Sequence, residues 1–400
     1  MSRTAGLLAG VLLVIGILAG GAGGVYLEQA HPDWFPLLAR SSSGNQLNRA
    51  ALEQAIRTIE TQYYNSHLDY TKLSDQSIAG LIAGLNDPFS AYLTPAQYQS
   101  TQRSYAGQYS GIGVYVSFRG QYPQITGLIP GSPAEKAGVR SGDTLLSVDG
   151  KSLKGLSPDL AAAAIQGPAG SLAHLVVQRG GASLKINVGR AHITAPFVLG
   201  TTLDPDIFYA RIFSFGTGTA DQLVAVLKKS LAGKKGMVLD LRGNPGGFID
   251  AAQAVIGAFV SSGEAFELRD RTGHVERDNV TGTHQAPSIR LVVLVDKDSA
   301  SASEIVAGSL HVHHRATLIG TTTFGKGSVQ EDFPLSNGGD LHLTIEHWFL
   351  PDGSTVQGKG LKPDQTVQLA NPADEFQVSD PAAGFAKDTQ LLAALKLLGA

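Results

Sequence analysis

The sequence predicts a multidomain α/β protein, in which an N-terminal helical region and a β-rich module with two helices precede an α/β core. Three patterns predict it. Apolar residues recur at helical spacing between residues 47 and 106, short alternating strands separated by turns fill 107–190, and from Asp206 onward strand and helix patterns alternate. The chain has 400 residues, enough for two or three domains, with 43% hydrophobic and 16% charged residues, an ordinary globular composition. A net charge of -3 without a long basic block gives no reason to expect nucleic acid as a partner. No cysteine is present, which excludes disulfides, thiolate metal sites and a cysteine nucleophile.

Residues 1–30 read as a membrane anchor or signal segment. Arg3 precedes an uncharged run over 4–27, and a helix of about 23 residues rises about 34 Å against a hydrocarbon thickness of about 30 Å. With Arg3 as the flanking cation, the start stays in the cytoplasm and the body is extracytoplasmic. The expectation is a retained anchor, with export after signal cleavage as the alternative, because the small residues of 19–24 also suit a cleavage site. Gly16, Gly20 and Gly24 recur every four residues, a spacing that lets two such helices approach closely, so a homo-oligomer is among the expected partners. Pro32, Pro36 and the Ser41-Ser42-Ser43-Gly44 run mark 31–46 as a linker. The helical region follows over 47–106: Leu52, Ile56, Ile59 and Tyr63 form one apolar face, and a second helical stretch over 73–85 ends at Asn86-Asp87-Pro88.

Over 107–190 the strands are expected at 114–118, 124–128, 144–148, 172–178 and 184–188. Ser132 caps a helix that begins at Pro133 and ends at Gly138, and Ser157 caps another that begins at Pro158 and ends near Gly167. This order, with Gly111-Ile112-Gly113-Val114 entering the first strand and Gly131-Ser132-Pro133-Ala134 opening the first helix, resembles a PDZ domain. The resemblance implies that Gly111, Ile112 and Gly113 form a nest of N–H groups for a peptide's terminal carboxylate. The peptide would add a strand beside Val114, in a groove closed by the helix at 160–166.

The region 191–400 is expected to be an α/β core with a C-terminal helix. Strands are read at 207–215, 237–241 and 291–295, with Thr219 opening a helix and Gln222 completing its capping box. The loops Arg242-Gly243-Asn244-Pro245-Gly246-Gly247 and Ser299-Ala300-Ser301-Ala302-Ser303-Glu304 then lie at carboxyl ends of strands, where open α/β sheets place ligands.

Ser301 and Lys326 are the candidate chemistry. A hydroxyl becomes a nucleophile when a neighbour takes its proton, and a lysine does so only when its surroundings disfavour the ammonium form. Ser301 with Glu304 also fits a plain capping box at the head of a helix running to about Leu310. Around Lys326, Gly320 and Gly325 match part of a phosphate loop, but Gly327 stands where the magnesium-binding hydroxyl belongs and 329–335 is not helical in pattern. Acyl transfer needs N–H donors at the developing oxyanion, and these are assigned to Ala302 and to Gly246 or Gly247. Gln330, four residues after Lys326, carries an amide able to hold a neutral amine. His311, His313 and His314 follow Ser301 on its own helix, and His342 and His347 lie in a strand-like stretch. All five read as structural or surface residues, and no metal or cofactor is expected.

Taken together, Asp240-Leu241-Arg242-Gly243-Asn244-Pro245-Gly246-Gly247, the run 299–305, the run 323–330, Pro351-Asp352-Gly353, Asp87-Pro88-Phe89-Ser90 and Gly360-Leu361-Lys362-Pro363-Asp364 resemble the C-terminal processing peptidases, or tail-specific proteases. The resemblance spans 47 to the end. It implies a serine endopeptidase with Ser301 as nucleophile, Lys326 as general base and Gln330 orienting that lysine. The implied partners are proteins or peptides with free, unstructured C-termini, taken up by the PDZ domain. Asp298 departs from the family pattern, which commonly has glycine there; a carboxylate at that place would reshape the loop or draw Lys326 toward its charged form. That departure leaves a second reading, an inactive PDZ-based tail-binding scaffold or chaperone.

Overall fold

The structure, a computed structural model, describes residues 47–117, 121–129, 131–156, 161, 164–286, 288–371, 374–378 and 384–399. The expected membrane segment and linker lie outside the described residues, as does the expected helix start at Ser157 and Pro158. Among the described residues no helix is long and apolar enough to cross a membrane.

The chain divides after Ser74 into two compact units. In the first, helix α1 (Arg49–Gln62) starts where the Asn48 side chain accepts from the Ala51 N–H at 3.1 Å. Its apolar face of Leu52, Ile56, Ile59 and Tyr63 is exposed. Helix α2 (Tyr70–Ala83) spans the division between Ser74 and Asp75 and is followed by Asn86 at φ 54°.

The second unit continues with strand β1 (Ala91–Leu93) and helix α3 (Pro95–Tyr105), whose Thr94 and Gln97 form a capping box. Strand β2 (Gln108–Gly111) leads into a small antiparallel sheet of β3 (Val114–Ser117), β4 (Gln124–Leu128), β5 (Thr144–Val148), β6 (Lys151–Ser152), β7 (Leu172–Arg179) and β8 (Ala182–Gly189), in the order β3-β4-β5-β7-β8 with β6 on β5. Helix α4 (Pro133–Lys136), capped by Ser132, completes it. Ile112, Ile125, Leu145, Val148, Leu175 and Val177 fill its core. Strand β9 (Ala191–Thr194) pairs back with β2.

The central sheet is built from β10 (Val198–Asp204), β11 (Ile207–Ile212), β12 (Gly236–Asp240), β15 (Arg290–Val295), β16 (Ala316–Gly320) and β19 (Gln365–Thr366). Neighbours from β11 onward run parallel. Their residues alternate between two cores. Met237 and Leu239 pack on one face against α5 (Thr219–Ser230), α6 (Ile249–Ile256) and α7 (Ala302–Val312), and Val238, Val292 and Leu294 pack on the other against α8 (Thr389–Leu398). Burial on both faces is why these strands read as unbroken apolar runs. A third sheet, β13 (Glu264–Asp270), β14 (Val275–Asn279), β17 (Ser328–Pro334) and β18 (Asp340–Phe349), also pairs with β1.

One local expectation fails. Helix α5 has Gly218 at its N-cap position and no side-chain cap; Thr219 is its first residue, and the Gln222 side chain instead accepts from the N–H groups of Phe197 and Val198 at 2.8 and 3.2 Å. Those two donors precede or open β10, and satisfying them outweighs a box that the helix does without.

Candidate active site

Ser301 stands between β15 and α7 at φ 54°, ψ -118°, a region that costs a non-glycine residue about 1–3 kcal/mol and persists only when its surroundings enforce it. The enforcement is visible. The Ala300 N–H donates to the Asn244 carbonyl at 3.0 Å, the Ser303 hydroxyl donates to the same carbonyl at 3.0 Å, and the Ser299 hydroxyl donates to the Leu241 carbonyl at 2.8 Å. Two of the three serines in the run are thus loop fasteners, while Ser301 lines a cavity of about 610 Å³.

Lys326 lines the same cavity. It follows β16 in a glycine-flanked loop in which a Cβ on Gly325 would come 2.7 Å from the Gly360 nitrogen. Burial drives the lysine below its ordinary range, opposed by the charge of Asp87. Its ammonium nitrogen sits 5.1 Å from the centre of the Phe89 ring, and among the described residues no hydrogen bond joins it to Ser301. Burial works to raise the Asp87 carboxyl too, but hydrogen bonds from Ser90, Thr344 and the Phe89 N–H outweigh it and hold the group low. Asp298 pairs with Lys297 at 3.1 Å, so the carboxylate that acts on Lys326 is Asp87.

The loops are fastened together by Glu304, which is fully buried. One of its oxygens accepts from the N–H groups of Ser301 and Lys326 at 3.0 and 2.9 Å; the other accepts from the Gly325 N–H at 2.8 Å and from the Thr323 hydroxyl.

Of the two glycines expected to offer the second oxyanion donor, Gly246 has its N–H engaged. The Gly246 N–H donates to the Asn244 side chain at 2.9 Å, because Asn244 must turn inward to reach the Ile212 carbonyl with its amide at 2.8 Å. The N–H groups of Gly247 and Ala302 have no acceptor among the described residues. Gly246 matters through its missing side chain: a Cβ there would lie 2.8 Å from Ser301 Cβ and 3.0 Å from the Ala302 nitrogen. Gln330 lines the cavity, but its amide donates to Ser328 and Thr344 at 2.9 and 3.1 Å rather than meeting Lys326.

In the small sheet, Ile112, Gly113 and Val114 line a groove of about 230 Å³ with Ile165 and Gln166. Gly113 has φ 84°, and its carbonyl and that of Ile112 accept from Ile129 and Ala134. Gly111 belongs to β2, paired with Ala191, and does not line the groove. A further cavity lined by Val114, Tyr115, Phe197 and Ser214 runs between this groove and the one holding Ser301. Of the histidines, His311 contacts Asp364 at 3.3 Å and His313 contacts the Glu264 carbonyl at 2.8 Å, both away from Ser301.

Asp87, Phe89 and the clamping role of Glu304 escape a reading of local pattern. The sequence signal for the first two is Asp87-Pro88-Phe89-Ser90, a short motif whose Asp87 side chain accepts from the Phe89 N–H and the Ser90 hydroxyl.

Residues 206–367 match the model of peptidase family S41 and residues 124–179 that of the PDZ domain. The chain is 34% identical over 339 residues to the carboxy-terminal processing protease CtpA of Bacillus subtilis (strain 168), covering 84% of this chain and 72% of that protein. It is 37% identical over 325 residues to a carboxy-terminal-processing protease of Bartonella bacilliformis, covering 78% and 74%. Among solved structures, the photosystem II D1 C-terminal processing protease aligns with a TM-score of 0.56 at 29% identity, over 79% of this chain and 86% of that one.

Proposed function

The chain belongs to the carboxy-terminal processing proteases of peptidase family S41 and is a serine-type peptidase, and from that premise we propose that Ser301 and Lys326 are its catalytic dyad. The observation that carries this is their convergence: both line one cavity and both are fastened by one carboxylate, with burial holding the lysine toward its neutral form. The lysine side chain leaves the face of Phe89 to reach the Ser301 hydroxyl, takes its proton as the oxygen attacks the scissile carbonyl, and returns it to the leaving amine. The unengaged N–H groups of Gly247 and Ala302 receive the developing oxyanion. Gln330 acts one step removed, fixing Ser328 and Thr344 beside the lysine loop.

The substrates are proteins with unstructured C-terminal tails. The groove beside Gly113 and Val114 takes the terminal carboxylate end, and the adjoining cavities give the rest of the tail a path toward Ser301. The apolar run 4–27 supports a membrane-tethered protein with an extracytoplasmic body. The test is cleavage of a protein with a disordered tail, ending in a free carboxylate or in an amide, by the wild-type chain and by Ser301→Ala. Cleavage confined to the wild type and to the free carboxylate is expected; turnover by Ser301→Ala, or indifference to the amide, overturns the corresponding half of the reading.

A further inference from the structure

Across the β17–β18 hairpin, Asp332 pairs with His342, and Asp340 precedes His342 by two positions on the same strand, so all three side chains leave one face of the sheet. His342 Nδ1 lies 2.7 Å from Asp332 Oδ1, and ligand-capable atoms of the three residues lie within 4.8 Å of one another. Asp340 is 0% exposed, and among the described residues neither of its carboxylate oxygens has a hydrogen-bond partner. A buried carboxylate with no donor is among the costlier arrangements a fold can hold, so it calls for a counter-charge. Helix α3 reaches the same cluster, where the Gln102 amide donates to Asp332 Oδ2 at 3.0 Å.

We propose that Asp332, Asp340 and His342 bind a divalent transition-metal ion, best matched by Zn²⁺, on the wall of the cavity that holds Ser301. One imidazole and two carboxylates make a borderline donor set that suits Zn²⁺, whereas Ca²⁺ seeks an all-oxygen shell of higher number. The ion enters between His342 Nδ1 and the facing carboxylates, which supplies the charge that Asp340 lacks, and Gln102 keeps its bond to the remaining lone pairs of Asp332. Asp332 and His342 both line the catalytic cavity, and so does Tyr105 at the end of α3, so the ion pins that helix to the hairpin. It sits apart from the proposed dyad and takes no part in the acyl-transfer steps.

The test uses the untagged full-length chain, stripped with a chelator, in calorimetric titration with Zn²⁺, Co²⁺ and Ca²⁺. One Zn²⁺ per chain is expected, with Co²⁺ giving the visible absorption of a bound ion. Asp340→Asn keeps the shape and removes the charge; it is expected to fold and to weaken Zn²⁺ binding at least about 100-fold, as is His342→Ala. Absence of Zn²⁺ binding below millimolar concentration, a preference for Ca²⁺, or wild-type Zn²⁺ affinity in either variant overturns the proposal.

Discussion

The backbone N–H groups of Ser301 and Lys326 donate to the same oxygen, Oε2 of Glu304, at 3.0 and 2.9 Å. Two loops at the ends of neighbouring parallel strands are therefore referenced to one buried atom, and the distance between them is set by that carboxylate rather than by either loop alone. A capping glutamate would have served the helix equally well on the surface. Burial and the additional donors from Thr323 and Gly325 make it a positioning residue for both loops.

Glu304→Gln is expected to separate those tasks. A glutamine offers one acceptor oxygen and turns an NH₂ group toward backbone donors, so two charge-assisted bonds are lost at about 1.5–3 kcal/mol each. Stability in urea is expected to fall by about 3–6 kcal/mol, and kcat is expected to drop more than KM rises, since the loops lose their register while the groove is untouched. Urea titration and steady-state kinetics measure both, and a stable variant with wild-type kcat would refute the clamp.

For Lys326 the sign of the pH effect follows from its environment. Burial lowers its proton affinity in the folded chain, and the neutral form is the one able to act as base, so the rate is expected to rise with pH through that depressed value. The unfolded chain binds more protons between the folded and the ordinary lysine values, so this group's contribution to stability also rises with pH across the same window. Asp87→Asn removes the charge that opposes the depression, and the acid limb of the rate profile is expected to move to lower pH. A limb that stays in place, or moves up, would show that Asp87 does not act on the lysine. Lys326→Met keeps the apolar stem and removes the base; it is expected to lose at least about 10²-fold in kcat, read in the same assay.

Local patterns made much of this legible. The strands of the central sheet stand out because burial on two faces leaves apolar runs, and the glycines around Lys326 signal a backbone packed too closely for side chains. Partner choice was not legible. Asn244 engages the Gly246 N–H, Gln222 serves Phe197 and Val198, and Phe89 lies over Lys326, and each pairing is settled by which distant group the fold brings within reach. Periodicity carries no information about contacts more than 200 residues apart in sequence, such as that between Phe89 and Lys326.

Gly247→Ala tests the assignment of the oxyanion donor. Gly247 has φ 141°, and a Cβ there would lie 2.2 Å from the Phe215 carbonyl oxygen, so the loop must move and carry its N–H away. With one oxyanion donor displaced, kcat is expected to fall by about 10²–10³-fold while tail binding to the groove persists. Retained kcat would exclude Gly247 from the oxyanion site.

Gly113 and Gly131 together separate steric exclusion from backbone strain in the tail groove. Both have positive φ, 84° and 75°, so alanine costs conformational energy at either place. A Cβ on Gly113 would stand 2.3 Å from Ser132 Cβ, whereas one on Gly131 meets nothing within 4 Å. Gly113→Ala must therefore push the 111–114 loop away from the head of α4, and with it the N–H groups proposed to hold a carboxylate. The expected result is a several-fold or greater loss of affinity for a free-carboxylate peptide in Gly113→Ala, measured by fluorescence anisotropy on the Ser301→Ala background, against a small change in Gly131→Ala. Equal losses in the two variants would mean that strain alone is being read, and unchanged affinity in Gly113→Ala would move the carboxylate site elsewhere.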